Sequence, residues 1–152
     1  MQSQLMNISN AFMKTILGSP LHGLVSGSVM LITFTGRKSG KIYTTPVNYV
    51  RDGESLIILS QDDRTWWKNL RGGVPVAVRL QGKELKGISE VFEDPEAVAQ
   101  GLITLMQQST SFQKYLGIEL HPDGHPRDPD ALMSVAQTKV IVRITDLRAE
   151  QV

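Results

Sequence analysis

Apolar positions along the chain change period several times, and each change marks an element. Over Met1 to Leu17, apolar residues fall at Leu5, Ile8, Phe12, Ile16 and Leu17 with polar residues between them, a helical spacing. Gly18-Ser19-Pro20 ends that helix, and Leu21 to Val25 is expected to form a short second one. Val29 to Thr35 (VMLITFT) is a dense β-branched and apolar run, hence a strand. Gly36 to Lys41 is a Gly-bounded turn. A second strand runs from Ile42 to Val50. Pro46 lies inside it and removes a ladder donor, which predicts an edge or a bulge there.

Asp52-Gly53 is a hairpin turn, and Ser55 to Ser60 (SLIILS) is the third strand. Asp62 or Asp63 is expected to cap a short helix carrying Trp66, Trp67 and Leu70, which Gly72-Gly73 stops. Val74 to Leu80 and Glu84 to Phe92 read as strands around a Gln81-Gly82-Lys83 turn. Asp94-Pro95 opens a helix to about Gln108, with Val98, Leu102 and Leu105 on its buried face. Phe112 to Leu116 and Ala131 to Ala136 read as further helical segments on either side of a turn-rich loop, His121 to Asp130. Lys139 to Ile144 (KVIVRI) is the last strand.

Consecutive strands joined by tight turns pair antiparallel. The pattern predicts an α+β, mainly β fold: a six-stranded antiparallel split barrel with flanking helices, rather than a doubly wound parallel sheet. One domain is expected over 1–152, with a helical segment at 1–26, the barrel core at 28–92, a helical insertion at 94–136 and the final strand at 138–146.

Composition narrows the chemistry. At 152 residues, 41% hydrophobic and 20% charged, the chain has the make-up of a globular domain able to bury a core. A net charge of +1 excludes bulk attraction to nucleic acid or anionic lipid, so any anion site must be a local cluster. With no cysteine, thiol nucleophiles, disulfides and Cys-ligated clusters are excluded, which fits a reducing cytosol. Neither a signal peptide nor a membrane span is read from the apolar pattern; a cytoplasmic protein, or one peripheral to a membrane, is expected.

The most informative segment is Thr35 to Lys41 (TGRKSGK). Two glycines allow a sharp turn and close approach of a ligand to the backbone. Arg37, Lys38 and Lys41 place three positive charges within five residues, and Ser39 adds a hydroxyl. Arg suits bidentate phosphate contact and Lys acts as a point charge. The P-loop spacing is absent, and the same residues also suit a solvated hairpin tip. Near Pro46, in Thr44-Thr45-Pro46-Val47-Asn48-Tyr49, backbone groups freed from the ladder could meet a planar ring; the alternative is a plain edge strand. In Arg64-Thr65-Trp66-Trp67-Lys68-Asn69-Leu70 the adjacent tryptophans lie about 100° apart on a helix, so one enters the core and the other borders a pocket. Arg64, Trp67 and Asn69 are candidate walls for a ring and an anionic tail.

The order strand, TGRKSGK, TTPVNYVRDG, strand, WWKNLR, strand resembles the deazaflavin (F420)-dependent nitroreductase family of the split β-barrel flavin-binding superfamily, over about Gly18 to Val91. The resemblance implies that Arg37 and Lys38 grip the phosphate and acidic tail of F420, while Ser39 and Gly40 shape the turn. It implies ring contacts near Pro46, Val47 and Asn48, with Thr45 beside them, and a site lined by Trp67, Asn69 and Leu70. Many family members carry Ser-Lys-Gly-Gly where this chain has Ser60-Gln61-Asp62-Asp63. Lys41 or Arg64 would then supply the missing charge, and FMN is the alternative cofactor.

The implied activity is hydride transfer from F420H2 to a quinone, a nitro compound or an activated alkene. An FMN oxidoreductase and a non-catalytic carrier of flavin, F420 or haem are the other readings. No catalytic side chain is assigned; Tyr43, Tyr49 and Ser60 are the candidate proton donors. The superfamily implies a homodimer, its nitroreductase branch a monomer. His121 and His125 are four apart, but Pro122, Gly124 and Pro126 deny them a helix, so no metal site is expected. Basic residues do not interleave with aromatics, so no nucleic-acid partner is expected.

Overall fold

The computed structural model describes residues 29–149. The expectations for Met1 to Val25 lie outside that range. Six strands are present: β1 (Val29–Thr35), β2 (Ile42–Asp52), β3 (Ser55–Gln61), β4 (Pro75–Leu80), β5 (Lys83–Phe92) and β6 (Lys139–Ala149). They close into a barrel in the order β1-β2-β3-β6-β5-β4, every neighbouring pair antiparallel. Three helices follow β5: α1 (Pro95–Gln108), α2 (Thr110–Leu116) and α3 (Pro129–Ala136). A short 3₁₀ helix, Trp66–Leu70, joins β3 to β4.

Alternation along the strands sorts the apolar residues into two layers. Met30, Ile32 and Phe34 of β1, Leu56 and Ile58 of β3, and Val140, Val142 and Ile144 of β6 pack inside the barrel with Trp67 and Leu70 of the 3₁₀ helix. Ile57, Ile141 and Val50 face outward, where Val98, Leu102 and Leu105 of α1 cover them. The helix starts as its sequence predicts: the Asp94 carboxylate accepts from Ala97 N–H, and proline opens the first turn.

The barrel closes unevenly, and the strand ladders show where. β1 pairs with β2 over its whole length but meets β4 only through Leu31, Ile32 and Thr33. The β2–β3 register begins at Tyr49. Residues 42–48 of β2 therefore pair with β1 alone, and the β1–β2 hairpin overhangs its neighbours. Pro46, opposite Leu31, sits in that half, where a missing donor costs no bond to β3. The expected edge position is the one observed.

Several boundaries differ from the sequence reading. Thr65, not Asp62 or Asp63, precedes the short helix, with no side-chain cap, and the helix is 3₁₀. The two aspartates belong to a turn after β3, in which Asp62 N–H donates to Thr138 O at 3.0 Å and Arg64 N–H to Gln61 O at 3.2 Å. Helix α3 begins two residues before Ala131, capped by the Asp128 carboxylate on Ala131 N–H. β4 begins at Pro75 rather than Val74. β6 continues past Ile144 to Ala149, because β5 goes on pairing with it beyond a register shift between Lys86 and Ile88. Among the described residues no helix is long and apolar enough to cross a membrane, and no cluster of His, Asp or Glu could hold a metal ion.

Candidate functional site

The overhanging hairpin and the 3₁₀ helix face each other across a cleft of about 700 Å³. Phe34, Tyr43, Thr44 and Thr45 form the hairpin wall, Trp66, Lys68 and Asn69 the opposite one, and the turn from Gly36 to Ser39 closes one side. The volume lies within the range of small-molecule and cofactor sites.

The turn holds its shape through its own backbone. Gly36 N–H donates to Lys41 O at 2.7 Å and Gly40 N–H to Gly36 O at 3.0 Å. Gly40 takes φ +71°, a left-handed conformation that glycine adopts without a Cβ penalty. Two further bonds tie the turn across the cleft. Asn69 Oδ1 accepts from Arg37 N–H at 2.9 Å, and Arg37 Nη1 donates to Lys68 O at 3.0 Å. Asn69 Nδ2 donates in turn to Trp66 O at 3.1 Å, so its amide orientation is set at both ends.

The aromatic lining is continuous from one wall to the other. Tyr43 stacks on Phe34 with centroids 5.9 Å apart, and Phe34 meets Trp66 at 6.2 Å. The Trp66 indole N–H donates to Ser60 Oγ at 3.0 Å, which holds its ring in the wall. Trp67 is 3% exposed and packs in the barrel core. Its N–H donates to Gln61 O at 3.1 Å, and Arg71 lies over its ring at 5.0 Å. The tryptophans thus divide as expected, with the roles reversed: Trp66 borders the cleft and Trp67 is core. In a 3₁₀ helix residues i and i+3 align, so apolar Leu70 takes Trp67 to the core side and Asn69 shares the cleft side with Trp66.

Among the described residues four cationic side chains line the cleft, Arg37, Lys38, Lys68 and Arg71, and none of the lining residues is acidic. Asp62 and Asp63, placed in the turn after β3, do not line it. Arg71 is anchored by Glu93, its Nε and Nη2 donating to the two carboxylate oxygens at 2.8 and 2.7 Å. The bonded guanidinium holds the Glu93 carboxyl below its ordinary pKa against the opposing effect of burial, and the same bond raises that of Arg71. Buried Ser89 fixes the loop behind Arg71: its Oγ donates to Leu70 O at 2.7 Å and accepts from Val74 N–H at 3.2 Å.

Of the residues singled out from sequence, Arg37, Lys38, Ser39, Tyr43, Thr45 and Asn69 come together at the cleft. Gly40 and Lys41 complete the turn through their backbone. Val47 and Tyr49 point into the barrel core, so neither reaches the cleft, and Leu70 joins them there. Asn48 is buried on β2, and Pro46 is half-buried and does not line the cleft. Arg64 is exposed in the turn after β3, away from the lining residues. Ser60 stands behind Trp66, its hydroxyl engaged by the indole and by Gln61 O. Phe34, Trp66, Lys68 and Arg71 went unselected in the sequence reading. A positive charge three residues apart on a helix with a core-facing Trp67-Leu70 pair was the available signal for the last two.

Among curated proteins none matches the sequence. Solved structures with the same barrel include the FAD and heme binding protein from Mycobacterium smegmatis, at 16% identity and TM-score 0.53 over 82% of this chain and 66% of that one. A conserved hypothetical protein from Mycobacterium tuberculosis aligns at 15% identity and TM-score 0.52, over 95% of this chain and 82% of that one. At these identities the likeness speaks to the fold alone. The family model for F420H(2)-dependent quinone reductase matches residues 6–117, and the chain belongs to that family of oxidoreductases, with F420 as its cofactor.

Proposed function

We propose that the cleft between the β1–β2 hairpin and the 3₁₀ helix is the F420 site, and that the protein reduces a quinone there. The observation carrying this reading is that, among the described residues, an aromatic wall is paired with four cations and no acidic lining residue. A coenzyme with a tricyclic ring at one end and a phosphate with an acidic tail at the other fits such a cleft in size and charge. When bound, the reduced deazaflavin supplies the hydride.

The remaining work falls to the chain. Arg37 and Lys38 hold the anionic end, Arg37 with its guanidinium steadied on Lys68 O. Lys68 and Arg71 add positive charge from the facing wall. Phe34, Trp66 and Tyr43 offer flat surfaces against which a ring and a planar acceptor align and from which water is excluded. Nitro compounds and activated alkenes share the electron-poor, planar character of quinones and are further acceptor classes. Tyr49 and Ser60 are turned away from the cleft or already engaged, which supports protonation of the product by solvent rather than by either of them. The chain acts as one split-barrel domain, as a monomer or a homodimer.

Titration of the purified protein with F420 and with FMN, followed by quenching of tryptophan fluorescence, tests the site. F420 should bind, and replacing both Arg37 and Lys38 with Ala should weaken it by about 1.5–3 kcal/mol for each charged hydrogen bond lost. Tight binding of FMN with none of F420 overturns the reading. Oxidation of bound F420H2 by a quinone separates an enzyme from a carrier.

A further inference from the structure

We propose that Tyr43 is a positioning residue for the anion-gripping turn, acting through Ser39; this rests on the cleft being the F420 site. Tyr43 Oη lies 3.1 Å from Ser39 Oγ, and Ser39 Oγ accepts from Lys41 N–H at 3.1 Å. The phenol, the hydroxyl and the backbone of the second half of the turn form one chain of hydrogen bonds. Asn69 fixes the first half through Arg37 N–H. The turn is therefore held at two points, one on each wall of the cleft.

The anchor is backed by the core although its surface is open. Tyr43 is 44% exposed, yet its ring stacks on Phe34 at 5.9 Å with 28° between planes, and Phe34 belongs to the barrel core. Position 36 leaves room for the pair: a Cβ there would lie 2.7 Å from both Ser39 Oγ and Tyr43 Cε2. Only glycine lets the ring and the hydroxyl close over the turn. An exposed turn that must order itself around an anion loses conformational entropy at binding, and a turn ordered beforehand does not. Tyr43 supplies that order from the core side, with its hydroxyl engaged by Ser39.

The test compares two probes on folded protein: F420, and the same deazaflavin with its phosphate and acidic tail removed. Tyr43→Phe keeps the ring and deletes the bond. It should weaken F420 by about two- to ten-fold, the range of one hydrogen bond, and leave the tail-free probe unchanged. Ser39→Ala should lose at least as much, and adding Tyr43→Phe to it should lose nothing further, since both act through one contact. Equal weakening of both probes by Tyr43→Phe would mean that the Tyr43 hydroxyl acts on the ring instead of on the turn, and would overturn the inference. So would an unchanged F420 affinity, or losses that add in the double variant. Arg37→Ala run alongside separates the two levels: if it too leaves F420 untouched, the assignment of the site itself falls.

Discussion

The side-chain oxygen of Asn69 accepts the backbone N–H of Arg37 at 2.9 Å, joining two segments 32 residues apart in the chain. With the bond from Arg37 Nη1 to Lys68 O, it sets the distance between the cationic turn and the tryptophan wall. Asn69→Ala removes it, together with the bond to Trp66 O. The loss of stability should be about 0.5–1.5 kcal/mol, since both partners are reached by solvent. Coenzyme affinity should fall by a similar or larger amount, because the turn then has to be ordered at binding. Asn69→Asp keeps the acceptor but puts a negative charge among Arg37, Lys38 and Lys68, so it should weaken F420 further than Ala does. Paired thermal melts and fluorescence titrations check this; an Asp variant that binds as tightly as wild type contradicts it.

Gly36→Ala should damage binding while sparing the fold. The added Cβ would lie 2.7 Å from Ser39 Oγ and from the edge of Tyr43, two exposed side chains that it would push apart from the turn. Stability should change by less than about 1 kcal/mol. The displaced Tyr43–Ser39 pair should nevertheless reproduce the loss of F420 affinity expected for Tyr43→Phe. A melting temperature that drops by many degrees would mean that the turn supports the barrel itself.

How far the sequence could be read depended on which signal each residue carried. The strands were legible because inward and outward positions both carry apolar residues, as in β3, where Leu56 and Ile58 face the barrel and Ile57 faces α1. The end of β6 was not legible: Thr145, Asp146 and Arg148 break the apolar run, and only pairing with β5 across a register shift keeps that stretch in the sheet. The turn was legible as a charge cluster between glycines. Its facing wall was legible only in part, because Lys68 and Arg71 are basic residues like many on a surface until the barrel brings them opposite Arg37. Trp66 and Trp67 are identical in type, and their assignment rests on alignment with Leu70 in a helix too short for its period to show.

The Arg71–Glu93 pair predicts a pH dependence. The folded-state pKa of Glu93 is held below the ordinary glutamate value, first by the hydrogen bond from Arg71 and then by charge, with burial opposing. A lowered carboxyl stabilises the fold above the unfolded pKa, and that contribution is lost as pH falls through the folded value. Between neutral pH and about 5 the contribution should be whole; it should start to fade near about 4.5, and the pair itself should break only as pH falls through the lower folded value. Glu93→Gln should flatten this part of the stability profile and leave neutral-pH stability only slightly lower, since the pair is well exposed to solvent. Urea melts of both proteins from pH 7 to pH 3 read the difference; parallel profiles would show that Glu93 carries none of the dependence.

Gly101→Ala sets helix propensity against packing, and packing should win. Ala favours a helix interior over Gly by about 1 kcal/mol. The new Cβ would, however, lie 2.7 Å from Ile141 Cγ1 and 3.0 Å from Cγ2, where α1 crosses the outer face of β6. Ile141 is fully enclosed between the sheet and the helices, so its side chain cannot turn aside. Overpacking of this kind costs about 1–3 kcal/mol, which leaves the variant destabilised on balance. Ile141→Ala alone should cost about 2–5 kcal/mol by opening a cavity. In the Gly101→Ala background it should cost less, because the shorter side chain relieves the clash and the added methyl fills part of the space. Denaturant melts of the two single variants and the double variant measure the coupling, and strictly additive losses would mean that α1 shifts freely on the barrel instead of being held by this contact.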